Sequence, residues 1–105
     1  MAGFVQIIEY QTSRIAEVAA LGAEFRKEMA TKHQSGAKPL GGTVTADRDR
    51  PGFYLSLVEF DSYEDASEAS NRPETQDFFH RLSELMDGPP KFYNLDVVEA
   101  WRMGE

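Results

Sequence analysis

Three short runs of the chain place apolar residues in both alternating sets of positions: Phe4 to Tyr10, Phe53 to Phe60 and Tyr93 to Trp101. A period of two predicts strands, and apolar residues on both sides predict a sheet that needs cover on both faces. After the first run, Thr12 and Ser13 offer N-cap oxygens. Ile15, Val18, Leu21, Gly22, Phe25 and Met29 then fall in one arc of a helical wheel with Glu17, Glu24 and Lys27 outside it, predicting a long helix from Arg14 to near His33. Breakers and polar residues in Gln34-Ser35-Gly36-Ala37-Lys38-Pro39 end that helix and predict a mobile flap.

Gly41 to Arg48 is more polar, with Val44 its sole large apolar residue, and reads as an edge strand. Arg50-Pro51-Gly52-Phe53 has proline and glycine where a type II turn needs them, so the next strand returns as a hairpin. Ser62-Tyr63-Glu64-Asp65 has the serine and acid spacing that starts a helix. Asn71-Arg72-Pro73 interrupts it, Pro73 suits the first turn of a new helix, and Phe78, Phe79, Leu82, Leu85 and Met86 form one stripe before Gly88-Pro89-Pro90. The order strand, helix, strand, strand, helix, strand predicts an α+β ferredoxin-like plait over residues 1–105, one domain with a four-stranded antiparallel sheet and its helices on one side. The other face then needs a second copy of the chain, which predicts a homodimer.

Alternation divides the strands into two unlike faces. Val5, Ile7, Phe53, Leu55, Leu57, Tyr93, Leu95 and Val97 make one oily face, tipped by Glu9, Glu59 and Glu99. The opposite set mixes aromatics with an amide, hydroxyl or carboxylate in every strand: Phe4, Gln6, Ile8, Tyr10; Tyr54, Ser56, Val58, Phe60; Phe92, Asn94, Asp96, Val98. A few convergent polar groups among aromatics is how small-molecule sites are built, so the predicted ligand site is Gln6, Tyr54, Ser56 and Asn94, with Tyr10 and Arg26 at its mouth. Mutual satisfaction of Gln6, Ser56 and Asn94, or water across a dimer seam, accounts for the same residues without a ligand. Glu9 and Glu59 end two strands read as parallel neighbours, a pair able to share a proton; each also precedes a helix, where a carboxylate suits the helix dipole. Trp101 is expected in the core or at the subunit contact.

A net charge of −7 and no cluster of Lys or Arg argue against nucleic-acid binding. Zero cysteines remove disulfide and thiol chemistry and suit a reducing, cytoplasmic setting. Neither a signal peptide nor a transmembrane span is predicted. His33 and His80 lack metal-ligand spacing, nucleotide and acyl-enzyme motifs are missing, and no metal or cofactor is predicted.

The order of elements, the aromatic residue before Asp61-Ser62-Tyr63-Glu64-Asp65-Ala66 and the closing Phe92-Tyr93-Asn94-Leu95-Asp96-Val97 together resemble the dimeric α/β barrel superfamily, in its antibiotic biosynthesis monooxygenase-like branch. The resemblance implies a homodimer whose two sheets face each other, with a small aromatic or polyketide-like substrate held between sheet and helices. Some members oxidise that substrate without metal or cofactor; relatives degrade haem. Of the haem-degrading triad, the asparagine position falls near Gln6, the tryptophan position at about Ala69 and the histidine position at about Phe78, a departure that also removes the tryptophan common in the cofactor-free enzymes. Three functions stay open at this point. They are a cofactor-independent monooxygenase-like enzyme, a non-catalytic ligand-binding or interaction dimer, and an isomerase or lyase using Glu9, Glu59 or Asp96 as base.

Overall fold

Each alternating run contributes a strand, the last over only its first four residues. The computed structural model describes residues 2–32 and 36–104. It comprises β1 (Phe4–Gln11), α1 (Ile15–Lys32), β2 (Gly41–Ala46), β3 (Phe53–Phe60), α2 (Tyr63–Ser70), α3 (Pro73–Ser83) and β4 (Lys91–Asp96). The sheet order is β2-β3-β1-β4 with every neighbouring pair antiparallel, the α+β ferredoxin-like plait that the order of elements predicts.

Local chemistry sets several boundaries. Ser62 Oγ accepts the Asp65 N–H at 3.1 Å and starts α2; Pro73, whose missing N–H is harmless there, opens α3. Gly52 takes φ +89°, a left-handed conformation that glycine adopts without a Cβ penalty, while the Phe53 N–H donates to the Arg50 carbonyl at 3.0 Å. In the same hairpin Arg50 donates to Asp47 at 2.8 Å and, with the Asp49 N–H, holds the Asp47 carboxyl below its ordinary range. A depressed carboxyl contributes stability above its ordinary pKa and loses it as pH falls through the lowered value. Asp47→Asn should therefore lower Tm near neutrality, with variant and parent converging as pH drops below about 4. A Tm difference unchanged by acid would count against the pairing.

Packing splits the helix-covered face of the sheet in two. Ile8 and Tyr10 join Val18 and Leu21 of α1 and Leu82 of α3, whereas Phe4 and Phe60 join Ala66 and Ala69 of α2. The oily face contributes nothing to the buried core: Val5, Ile7, Leu55, Leu57 and Tyr93 are half-buried, and Leu95 is 44% exposed. The protein exposes 7341 Å² at 11.8 kDa. A compact monomer of that mass exposes about 5,900 Å², leaving an excess of roughly 1,400 Å². Extents of 36 × 35 × 22 Å describe the same open slab.

Four expectations are corrected. β1 and β3 are antiparallel, with Glu9 opposite Leu55 and Glu59 opposite Val5, so the two carboxylates stand four residues apart in register, about 13 Å, and form no pair. β4 ends at Asp96; beyond it Val98 is 98% and Trp101 73% exposed, so Trp101 is outside the protomer core. α3 stops at Ser83 because Thr12 Oγ1 donates to the Leu85 carbonyl and Glu84 and Leu85 turn back to carbonyls three residues earlier. Within the expected flap, Ala37 is buried and clamped, its N–H on Glu68 Oε2 at 3.0 Å and its carbonyl on Arg72 Nη2 at 2.6 Å. Gln34 and Ser35 of that segment, and His33, lie outside the described residues.

Candidate functional site

Between the two apolar clusters runs a strip of polar side chains. β1 presents Phe4, Gln6, Ile8 and Tyr10 in alternation to the helices, and the clusters claim Phe4 on one side and Ile8 with Tyr10 on the other. Gln6 is left between them. Its register partners are Val58 on β3 and Asn94 on β4, and Gln6 Nε2 donates to Asn94 Oδ1 at 3.1 Å. One pleat along, the Tyr10 hydroxyl and Ser56 Oγ share a hydrogen bond of 3.1 Å, and the Tyr10 and Tyr54 rings stack at 5.9 Å.

Five of the six expected site residues are thus joined into two neighbouring groups on one face. Tyr10 differs in position from its expected place at a mouth: it is 4% exposed and packs in the floor. Arg26 stands apart on α1, exposed, with its guanidinium folded along the helix so that a Cβ on Gly22 would lie 3.3 Å from Nη1. Thr12, expected only as a cap oxygen, accepts the Arg14 N–H at 2.9 Å and, 2% exposed, also ties the end of β1 to the turn after α3. Val44, the large apolar residue of the edge strand, lies opposite Ser56 in register and is 59% exposed, and Phe92 of the mixed face meets Phe79 edge-on at 5.8 Å beside the strip; neither was expected at the site.

The charged residues gather elsewhere. An open groove of about 550 Å³ between α1 and α3 is lined by Arg14, Glu17, Glu24, Arg81 and Glu84 among others, and these pair as Arg14–Glu17 and Arg81–Glu24. On the opposite sheet face Tyr93 donates to Glu9 at 3.2 Å, and Arg50 approaches the same carboxylate at 3.5 Å. Among the described residues no group of three or more metal-ligating side chains occurs. Haem does not fit here. The position expected to hold a histidine is Phe78, stacked on Phe25 at 4.3 Å with no ligand atom, and Ala69 is packed against Phe4 and Phe60. His80 is exposed on α3.

No family model matches the chain, and no curated protein does. Solved structures do. A mutant of SnoaB, a cofactor-independent oxygenase from Streptomyces nogalater, superposes with a TM-score of 0.77 over 100% of both chains at 14% identity. A conserved protein from Methanosarcina mazei Go1 gives 0.74 at 14% identity, covering 91% of this chain and 93% of that one. A candidate antibiotic biosynthesis monooxygenase from Caulobacter crescentus CB15 gives 0.70 at 17% identity over 93% and 92%. No helix among the described residues is long and apolar enough to cross a membrane. The chain has the ferredoxin-like fold of the antibiotic biosynthesis monooxygenase-like proteins.

Proposed function

We propose that the chain forms a homodimer through its oily sheet face and that each copy holds a small aromatic organic molecule between sheet and helices. Gln6, Tyr54, Ser56 and Asn94 line the site, Tyr10 forms its floor, and Arg26 stands at its rim. One observation carries this reading: a strip of hydrogen-bonding groups interrupts an otherwise apolar, helix-covered face. The excess exposed area supports the dimer, because about 1,400 Å² from each of two copies falls in the range of obligate homodimers.

The strip is made of amides, phenols and a hydroxyl, suited to a phenol or enol and its carbonyl oxygens. The exposed Gln6–Asn94 bond contributes about 0.5–1.5 kcal/mol, so a ligand that supplies the same bonds displaces it at little cost. With SnoaB described as a cofactor-independent oxygenase, the reaction class that suits this strip is oxygenation driven by the substrate itself. A phenolate or enolate carbon bonds dioxygen, one oxygen atom stays as a new carbonyl, and the other leaves as water. Tyr54 would meet the developing negative charge.

A non-catalytic ligand-binding dimer is the second reading, favoured by the mutual satisfaction of Gln6 with Asn94 and of Tyr10 with Ser56. Oxygen uptake over a panel of anthrones, quinols and flavonoid-like phenols separates the two; uptake above background eliminates the second. For the ligand site itself, Gln6→Leu should weaken binding of a retained or selected aromatic ligand about 5- to 10-fold, read by titration calorimetry. Unchanged affinity would remove Gln6 from the site.

A further inference from the structure

Tyr10 and Ser56 share a hydrogen bond of 3.1 Å, and their chemistry fixes which of them donates. A phenol is a stronger donor than an aliphatic alcohol, and its oxygen is a weaker acceptor because one lone pair is spread into the ring. Tyr10 is 4% exposed and its hydroxyl meets no second partner among the described residues, so a proton turned away from Ser56 would be buried without an acceptor. Tyr10 therefore donates and Ser56 Oγ accepts. The Ser56 proton is left over.

The neighbouring side chains offer that proton no acceptor. β3 lies between β1 and β2, and Tyr10 reaches Ser56 from the β1 side, which leaves the free proton on the side away from β1. There β2 presents Ala46, Val44 and Gly42 opposite Tyr54, Ser56 and Val58, a row without a polar side chain. All three are exposed, Val44 by 59%, so the row forms an open apolar ledge in front of a directed hydroxyl. The Tyr54 ring, stacked on Tyr10 at 5.9 Å, borders the same ledge.

Resting on the ligand site proposed above, we infer that the Ser56 hydroxyl donates to a carbonyl or enolate oxygen of the ligand, whose ring lies over the Val44 ledge. Tyr10 is the positioning residue: by donating to Ser56 Oγ it turns the serine proton outward and polarises it, since hydrogen bonds in a chain strengthen one another. The site then selects aryl ketones and their enolates over hydrocarbons of the same shape.

Acetophenone and α-methylstyrene share a shape and differ in one acceptor oxygen, so the ratio of their affinities for the full-length protein, read by NMR titration, isolates the donor. Ser56→Ala should lower acetophenone affinity relative to α-methylstyrene about 5- to 10-fold, and Ser56→Thr, which keeps the hydroxyl, should preserve the ratio. Tyr10→Phe should lower the ratio about 2- to 3-fold. Disturbed packing weakens both compounds alike and leaves the ratio unmoved. Were Tyr10 the acceptor, its loss would release the Ser56 proton and raise the ratio, so a ratio raised or unchanged in Tyr10→Phe overturns the inference. A ratio unmoved by Ser56→Ala also overturns it and leaves the ligand site standing. Failure of both compounds to bind removes the site itself, and this inference with it.

Discussion

Replacing Leu57 by lysine should convert the proposed dimer into a folded monomer. Leu57 lies opposite Ile7 on one side and Thr43 on the other, in the middle of the uncovered sheet face. In a two-fold seam the substitution buries two like charges without partners, and an unpaired buried charge costs several kcal/mol. The dissociation constant should rise at least about 1000-fold, which is roughly 4 kcal/mol. In the lone protomer the same side chain is only half-buried and its ammonium reaches water, so the fold survives. Light scattering coupled to gel filtration checks the mass, and far-UV circular dichroism checks the fold. A dimer of undiminished affinity would move the seam elsewhere.

Phe4→Ala should be the most damaging single change within the protomer. Phe4 is 2% exposed, packs with Phe60, Ala66 and Ala69, and meets the Tyr63 ring edge-on at 5.4 Å. Truncating a buried phenylalanine costs about 3–5 kcal/mol, through lost transfer free energy and the cavity left behind. For a domain of this size that lowers Tm by roughly 15–30 °C. The consequence extends to function, because the Phe4 cluster seats α2 at one end of the polar strip. Calorimetry beside Phe92→Ala, whose ring is 45% exposed and whose loss should be far milder, makes the comparison. Equal effects for the two would show that the Phe4 cluster is not a distinct core.

The elements were readable because their signals are local. The serine cap at Ser62, the proline at Pro73 and the glycine turn at Gly52 act within a few residues and form as their sequence demands. The two unlike faces were readable too, since side chains alternate strictly along a strand. Strand direction was readable from the order of elements, which predicts an antiparallel sheet, but not from the strands alone. Alternation reads the same from either end, so the matching endings at Glu9 and Glu59 suggested parallel neighbours where the antiparallel pairing of β1 with β3 carries the two acids apart. The end of β4 was hidden for a related reason: Val97 to Trp101 shows which residues need cover, and whether that cover comes from the same chain is a property of the assembly. In the candidate site, residue types were legible while pairing was not. Gln6 with Asn94 and Tyr10 with Ser56 depend on register, which long-range packing fixes.

One claim underlies the rest: the oily sheet face belongs to a second copy. Sedimentation equilibrium on the unmodified chain at about micromolar concentration tests it most directly, since a seam of roughly 1,400 Å² per copy should hold at that dilution. The account predicts a single species at twice the 11.8 kDa chain mass. A stable species at 11.8 kDa would contradict it.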